Sequence, residues 1–272
     1  GAGQPPRWVA AYATSGFDAF YRSGDAGSTW ATAALTGTFA GLRMSVTGSH
    51  VSAASSTHLY ATQFLYDRVP CGEMGYCDVP VWQLFASDNA GVSWTGKTIL
   101  SQPQEITPSP VLARRIYRKV GSSWAQSDNA GDSWAARAFP IATLTPDGVN
   151  ADRLYSRDNG GVRSSDGGAT WQPWAAKPCA QASDLIAHPN QASLIFARCG
   201  NAWHRSRNGG DSWQQLNPGA AGWLHADLGH PSRLLLVAGP LILESLDEGA
   251  TWRPVTNRVI TFRHFIPAAL GR

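Results

Sequence analysis

Three residues could supply acid–base chemistry or hold an anion at one end of the recurring strands: Asp227, Arg263 and Glu105. When the strands that end at a Pro are aligned on that residue, Asp227 and Arg263 fall at the same level on equivalent strands of adjacent repeats, with His225 and Thr261 one step deeper. A carboxylate, a guanidinium and an imidazole together could bind a charged ligand or transfer a proton. The alternative is a structural ion pair or a solvated rim, and we favour that interpretation.

A second candidate site is the segment 64–82, which concentrates aromatic and charged residues around two cysteines. Its candidate binding residues are Tyr66, Asp67, Arg68, Tyr76 and Trp82. Exposed aromatic side chains gain affinity at low entropic cost, so a restrained loop of this composition suits a binding arm. The alternative is a loop that folds over the edge of a sheet and only shields it. We rank this segment ahead of the Asp227 site.

The four cysteines predict two disulfides, Cys71 with Cys77 and Cys179 with Cys199. The second pair flanks one predicted hairpin, which can bring the two Cα atoms within the roughly 4.4–6.8 Å that a bridge needs. Neither pair has the spacing of a zinc or redox site and no His cluster accompanies them, so we expect no metal. Disulfides indicate an exported protein that is secreted, periplasmic or on the cell surface. Four free thiols in a cytosolic protein are the alternative.

Composition excludes several classes of protein. A hydrophobic fraction of 43% can fill a core, and a net charge of +3 without a long basic run gives no field for nucleic acid. The most apolar stretch, 234–243, contains Gly239 and Pro240 and is far shorter than the roughly 20 residues of a membrane helix. Nucleophile-elbow, zinc-protease and phosphate-loop signatures are absent from the sequence, so we expect no cofactor.

One motif recurs six times without gaps and carries most of the information about the fold. It reads Ser-x-(Asp/Asn)-x-Gly-x-(Ser/Thr)-Trp, here called the box, and it occupies residues 23–30, 87–94, 127–134, 164–171, 206–213 and 245–252. The box tryptophans are separated by 64, 40, 37, 42 and 39 residues. A period near 40 matches one four-stranded blade of a β-propeller, so six copies predict six blades. The long first spacing contains the segment 64–82.

The box residues suit a tight turn between antiparallel strands. The Asp or Asn side chain can bind the backbone two residues on, and Gly allows a positive φ. These Asp and Asn residues are Asp25, Asn89, Asn129, Asp166, Asn208 and Asp247. The Trp begins the next strand, where we expect its indole to be largely buried between neighbouring blades. The tryptophans are Trp30, Trp94, Trp134, Trp171, Trp213 and Trp252.

The six boxes resemble the Asp-box, or BNR, repeat of the sialidase-like and sortilin-like β-propellers, and with their flanking strands they cover nearly the whole chain. The resemblance implies an all-β fold, a single six-bladed propeller of four-stranded blades over residues 1–272. It implies little about activity, because in that superfamily the box is a structural turn shared by glycosidases, sorting receptors, assembly factors and lectins.

Strand patterns between the boxes predict the order inner, second and third strand, then the box, then the outer strand. Before the first box there is room for only two strands, near 8–13 and 17–22, whereas one strand, 259–265, is left over after the last box. We therefore expect the C-terminal strand to complete the first blade as its innermost member. Such closure would remove a free sheet edge.

A sialidase-like activity would need an arginine triad, a Tyr with a Glu partner and an acidic catalyst. The family's Phe/Tyr-Arg-Ile-Pro signature is absent ahead of the first box, where residues 4–8 read QPPRW. Of the four glutamates, only Glu105 lies beside an inner strand. Asp227 could pair with Asp184 or Glu105 as in an inverting glycosidase of the xyloglucanase type. Those enzymes, however, join two propellers to make their cleft, and this chain has one.

The sequence therefore predicts a non-catalytic binding or scaffold propeller that recognises a protein or glycan partner. We expect a monomeric ring without metal, cofactor or nucleic acid. The alternative is a glycoside hydrolase, sialidase-like or inverting, that acts at the mouth of the central channel through Asp227, Arg263 or Glu105.

Overall fold

The computed structural model describes residues 8–14, 17–23, 29–36, 43–44, 50–55, 57–72, 75–100, 106–226 and 232–255. Regular structure in these ranges is almost entirely β-strand, and the helical segment among them is a 3-10 turn at Asp158–Gly160. None of these ranges contains a helix that is both long and apolar enough to cross a membrane. The described residues form two compact units, one ending at Ala138 and the other beginning at Phe139.

The first unit contains three sheets. A three-stranded sheet comprises β1 (Trp8–Thr14), β2 (Phe17–Ser23) and β3 (Ala31–Thr32). A larger sheet comprises β4 (Ala34–Thr36), β5 (Arg43–Met44), β6 (His50–Ala53), β7 (Leu59–Pro70), β8 (Tyr76–Ser87) and β9 (Ser93–Leu100). Its order is β4-β9-β8-β7-β5, with β6 also on β7, and β4 runs parallel to β9. A four-stranded sheet follows with β10 (Ile106–Pro108), β11 (Ile116–Val120), β12 (Ser123–Ser127) and β13 (Ala135–Arg137).

The second unit contains three four-stranded antiparallel sheets, each made of consecutive strands. The first comprises β14 (Thr145–Pro146), β15 (Leu154–Ser156), β16 (Val162–Ser164) and β17 (Gln172–Pro173). The second comprises β18 (Asp184–Ala187), β19 (Ile195–Cys199), β20 (Ala202–Ser206) and β21 (Gln214–Gln215). The third comprises β22 (Trp223–Ala226), β23 (Leu234–Ala238), β24 (Leu241–Ser245) and β25 (Arg253–Pro254). A box joins the third strand to the fourth in each sheet, so the predicted succession of three strands, a box and a fourth strand is confirmed here.

The boxes form turns held by a fixed set of hydrogen bonds, as the box at 206–213 illustrates. Ser206 Oγ accepts the Gly210 amide at 2.8 Å, and Asn208 Oδ1 accepts the Ser212 amide at 2.9 Å. The same two bonds recur in the boxes that begin at Ser87, Ser127, Ser164 and Ser245. Asp25 lies outside the described residues.

The Asp or Asn side chain therefore binds a backbone amide within its own turn, as predicted. The predicted spacing of two residues is wrong, because the accepted amide lies four residues on. The amide two residues on belongs to the box glycine, and the Ser hydroxyl already binds it. Each of the two side chains therefore accepts a hydrogen bond from a different backbone amide of the same turn.

The box glycines have positive φ, from +77° at Gly91 to +102° at Gly210, as predicted. They also allow close packing, because a Cβ on Gly210 would stand 2.5 Å from the Trp174 ring. Equivalent collisions link each later box glycine to a bulky side chain that precedes the box in the chain. The pairs are Gly131 with Leu84, Gly168 with Phe139, Gly210 with Trp174 and Gly249 with Leu216.

Arginines on third strands hold the box of the next sheet in the second unit. Arg163 on β16 donates to the Gly209 carbonyl at 3.1 Å, and Arg205 on β20 donates to the Glu248 carbonyl at 2.7 Å. Arg205 is only 4% exposed. These bonds give the turn carbonyls charged donors, which are stronger than neutral ones.

The position ten residues before each box Trp is apolar in five of the six repeats, and Gly161 is the exception. Phe20, Leu84, Trp124 and Trp203 are buried at this position, and Ile242 is half-buried. Gly161 is explained by the neighbouring Trp174, whose ring occupies the space that a Cβ at Gly161 would need. The Trp174 ring, just after β17, therefore fills the space that Gly161 leaves just before β16.

Burial of all six box tryptophans is a wrong prediction. Trp94 is fully buried and stacks on Phe20 with ring centroids 4.4 Å apart, but Trp30 is 47% exposed. Trp134, Trp171, Trp213 and Trp252 are half-buried. Their indole N–H groups bind oxygen atoms near the turns, as when Trp171 donates to the Gly168 carbonyl at 3.1 Å. An indole that must keep this polar group paired lies at the rim of the sheet.

The first sheet has three strands among the described residues, one fewer than the four-stranded sheets. The predicted fourth strand, 259–265, lies outside the described residues. The predicted partner strand, near 8–13, corresponds to β1.

We predict that Trp94→Ala lowers the free energy of unfolding by about 3–5 kcal/mol, because it removes a fully buried aromatic ring. Trp30→Ala is the matched control, and its exposed ring predicts a loss of less than about 1 kcal/mol. Urea unfolding followed by circular dichroism measures both values. Equal losses in the two variants would contradict the assigned packing.

Three boxes carry Asp, and Asp166 and Asp247 are the two that lie in the described residues. We predict that these two carboxylates contribute to loss of stability in acid. Hydrogen bonds from the hydroxyl and then the amide of Thr170 lower the pKa of Asp166 to about 2, and Thr251 acts in the same way on Asp247. Because these pKa values lie below the ordinary 3.8, each carboxylate stabilises the fold above about pH 4. That contribution disappears as the pH falls toward 2.

The chain offers the control for this prediction, because the other described boxes carry Asn. The double variant Asp166→Asn, Asp247→Asn keeps an oxygen acceptor in each turn and removes the two titrations. Its free energy of unfolding should fall less than that of the parent between pH 5 and pH 2. Identical pH profiles would show that these carboxylates do not act as described.

Candidate binding surfaces

Residues 64–82 form a projecting β-ribbon, whereas the sequence predicts a loop. Strands β7 and β8 have 12 residues each and pair without interruption from Leu59 with Ser87 to Pro70 with Tyr76. Pairing of β8 with β9 ends at Trp82. The loop was expected because Pro and Gly residues favour turns. The prediction is wrong because the Val and Tyr residues between them favour strands, and the backbone pairing between β7 and β8 continues through them.

A disulfide closes the tip of the ribbon, as predicted. Cys71 and Cys77 are bonded with their Cα atoms 5.6 Å apart, and the Cys71 amide donates to the Gly75 carbonyl at 2.9 Å. The second predicted disulfide, Cys179–Cys199, is also present with a Cα separation of 6.0 Å. Two disulfides are consistent with a protein of an oxidising compartment.

The ribbon carries a row of aromatic side chains that leads from the core to solvent. Trp82 is half-buried against the cluster around Leu84, and its ring lies 5.2 Å from that of Phe64. Phe64 in turn lies 5.1 Å from Tyr66, which is 38% exposed, and Tyr76 near the tip is 66% exposed. The structure therefore brings Tyr66 and Trp82 together through Phe64, which the sequence did not single out.

Asp67 and Arg68 belong to β7, but their side chains are outside the described part of the structure. The ribbon turn and the box turn lie at opposite ends of the sheet, because successive turns of an antiparallel hairpin series alternate between ends. The outer part of the aromatic row, at Tyr66 and Tyr76, therefore lies away from the box turn, whereas Trp82 packs against the cluster that also contains the box residue Ala130.

His225 is the one member of the predicted channel site that the structure describes; Asp227, Arg263 and Glu105 lie outside the described residues. His225 is on β22 and half-buried. Burial lowers its pKa, while the nearby Asp184 carboxylate acts in the opposite direction. The imidazole is therefore neutral at pH 7. Among the described residues, no group of three His, Cys, Asp or Glu could hold a metal ion.

Sequence reasoning missed a polar cluster in the second unit. It lies at the box-distal end of the sheets, which is the end opposite the box turns. Trp223 begins β22 and is 59% exposed, with the Arg198 guanidinium 4.7 Å from its ring centroid. Arg198 is the cross-strand partner of Asp184, and Asp184 lies 3.9 Å from Arg157. The sequence did hold a signal for it: Trp223 stands two residues before His225, and side chains two apart on a strand share one face.

Two glutamates that the sequence places away from the candidate sites have structural roles. Glu244 is buried and paired with Arg233 and Arg253, each at 2.7 Å. Glu248 is paired with Arg207 at 2.8 Å. These three ion pairs support the last box and its flanking strands.

No protein-family profile matches this sequence, and no curated protein matches it. Solved structures are similar to it in fold. The GH74 enzyme of Niastella koreensis matches 88% of this chain with a TM-score of 0.54 and 14% identity. YCF48 bound to D1 peptide matches 94% with a TM-score of 0.55 and 14% identity, and YCF48 from Cyanidioschyzon merolae matches 90% with a TM-score of 0.54 and 17% identity.

The alignments cover 50% of the GH74 enzyme and 89% and 80% of the two YCF48 chains, so this chain spans half the length of the GH74 enzyme. At these identities the similarity concerns the fold alone. GH74 and YCF48 proteins are β-propellers, which supports a propeller fold for this chain.

Proposed function

We propose that the chain is a non-catalytic binding or scaffold propeller that recognises a protein or glycan partner through the ribbon 64–82. The observation that carries this proposal is the exposed aromatic row on a disulfide-closed ribbon. Tyr76 and Tyr66 present large amphipathic rings, and such rings often dominate binding energy. The disulfide and the continuous strand pairing restrain the ribbon before a partner arrives, which lowers the ordering cost of binding.

The proposed scaffold is one monomeric ring of six Asp-box blades over residues 1–272. Six boxes at a period near 40, the recurring four-stranded sheets and the similarity to propeller structures support it. The C-terminal strand 259–265 would complete the first blade beside β1. Export fits the two disulfides, because structural disulfides persist in oxidising compartments.

Ring closure predicts that deletion of residues 258–272 leaves an aggregating protein with a lower melting temperature. An exposed edge strand in the first blade would pair with other chains. Deletion of residues 268–272 alone keeps the strand 259–265 and serves as the control. An unchanged melting temperature in the longer deletion would contradict closure.

A protein partner is supported as a class by the structure of YCF48, which was determined with a bound D1 peptide. A glycan partner is supported by the aromatic character of the ribbon, since exposed aromatic rings pack against sugar rings as well as against peptides. Peptide and glycan arrays probed with the intact protein separate the two classes.

We predict that replacing residues 69–78 by a short Gly-Ser turn abolishes binding on these arrays. The melting temperature should stay within a few degrees, because this part of the ribbon projects beyond β9. A second variant, Tyr66→Ala with Tyr76→Ala, keeps the disulfide and should also lose binding. Val149→Ala, exposed by 48% in the second unit, is the control. Ribbon variants that bind like the parent would overturn the proposal.

The hydrolase alternative depends on Asp227, Arg263 and Glu105, which the structure does not describe. Turnover of aryl-glycosides or sialosides that is lost in Asp227→Asn would support it. Binding without turnover supports the scaffold.

A further inference from the structure

Four side chains at the box-distal end of the second unit form a group, here called the platform, that is not part of the ribbon 64–82. It consists of Trp223, Arg198, Asp184 and Arg157. Trp223 is on β22, Arg198 and Asp184 are on β19 and β18, and Arg157 directly follows β15. We infer that it is a second binding site, for a saccharide that carries carboxylate groups, such as a chain of uronic acid residues. This inference is independent of the ribbon proposal.

The platform is held in place without a ligand. The buried Trp203 donates its indole N–H to the Gly222 carbonyl at 3.0 Å, immediately before Trp223. A Cβ at Gly222 would collide with the Val237 carbonyl, so the residue allows β22 to approach β23 closely. These contacts hold the backbone beside Trp223 in place, and the Arg198 guanidinium lies 4.7 Å from the centroid of its ring. A side chain that is restrained in this way loses little freedom when a ligand binds.

Arg198 is positioned from two sides. The Ser183 amide donates to its carbonyl at 2.8 Å, and the next residue, Cys199, is bonded to Cys179. The Arg198 Nε donates to the Gly200 carbonyl at 3.1 Å, while its terminal nitrogens have no acceptor among the described residues. A guanidinium that lies against an indole and keeps two terminal nitrogens unpaired is ready to receive a carboxylate in a bidentate arrangement.

Charge favours an anionic ligand over a neutral one. Arg157 and Arg198 contribute two positive charges, against one negative charge from Asp184. Arg157 is already bonded to the Ser183 carbonyl and lies 3.9 Å from Asp184, so it balances that carboxylate. The positive charge of Arg198 is therefore available to pair with an anionic group of the ligand.

The flat and exposed indole favours a sugar over an acidic peptide. The apolar C–H face of a pyranose can lie on the indole surface that Arg198 does not cover. The Asp184 carboxylate can accept hydrogen bonds from sugar hydroxyls. A ligand of more than one residue can place one ring on Trp223 and present a carboxylate to Arg198.

The test uses isothermal titration of the intact protein with oligogalacturonate and with the same oligomer after methyl esterification, which removes the charge. Oligogalacturonate should bind, more weakly as salt is raised, and the ester should bind at least about tenfold more weakly. Equal binding of the two, or no binding of either, would overturn the inference. A poly-glutamate peptide that binds as tightly as oligogalacturonate would overturn the choice of a saccharide.

Variants locate the site. Trp223→Ala and Arg198→Lys should each weaken oligogalacturonate binding at least about tenfold, because the first removes the ring and the second keeps the charge but loses the bidentate fork. Both positions are partly exposed, so a melting curve confirms folding. The ribbon replacement at 69–78 should leave this binding unchanged, which separates the inference from the ribbon proposal. Loss of binding only in the ribbon variant would overturn the site.

Discussion

The box glycine, which lacks a Cβ, is the constraint on which the rest of the structure depends. The box turn needs a positive φ at this residue, and a bulky side chain from the preceding segment lies where a Cβ would stand, as Trp174 does at Gly210. The same position must therefore satisfy a turn and a packing contact. Arg205 adds a charged hydrogen bond to the turn of the following sheet. A fourth strand such as β21 has only two residues, so we expect this contact, more than strand length, to hold neighbouring sheets of a unit together.

This arrangement divides each sheet between a structural end and a free end. The box end is occupied by turn hydrogen bonds and by packing, so additions there would disturb several contacts at once. The opposite end carries the features that packing does not require, namely the ribbon 64–82 in the first unit and the Trp223 platform in the second. Each is fixed by its own disulfide and strand pairing. Rigid surfaces of this kind suit recognition, because little ordering remains to oppose binding.

Sequence alone predicted the strand order, the box turns and both disulfides, because these depend on local residue types and on spacing. It missed the ribbon, where Pro70 and Pro80 resemble loop residues although strand pairing continues around them. It overestimated burial of the box tryptophans, since the position of an indole depends on where its N–H finds an acceptor. The Trp223–Arg198 contact joins residues of different sheets, and spacing along the chain carries no signal for it.

The most direct measurement of the central constraint compares Gly210→Ala with Gly200→Ala by urea unfolding. Both glycines have positive φ, but a Cβ at Gly210 meets Trp174, whereas nothing lies within 4 Å of a Cβ at Gly200. Both variants carry backbone strain, and Gly210→Ala alone adds overpacking. It should therefore lose about 1–3 kcal/mol more than Gly200→Ala. Equal losses would show that the missing Cβ serves only the turn, and the sheets would then be held together by something else.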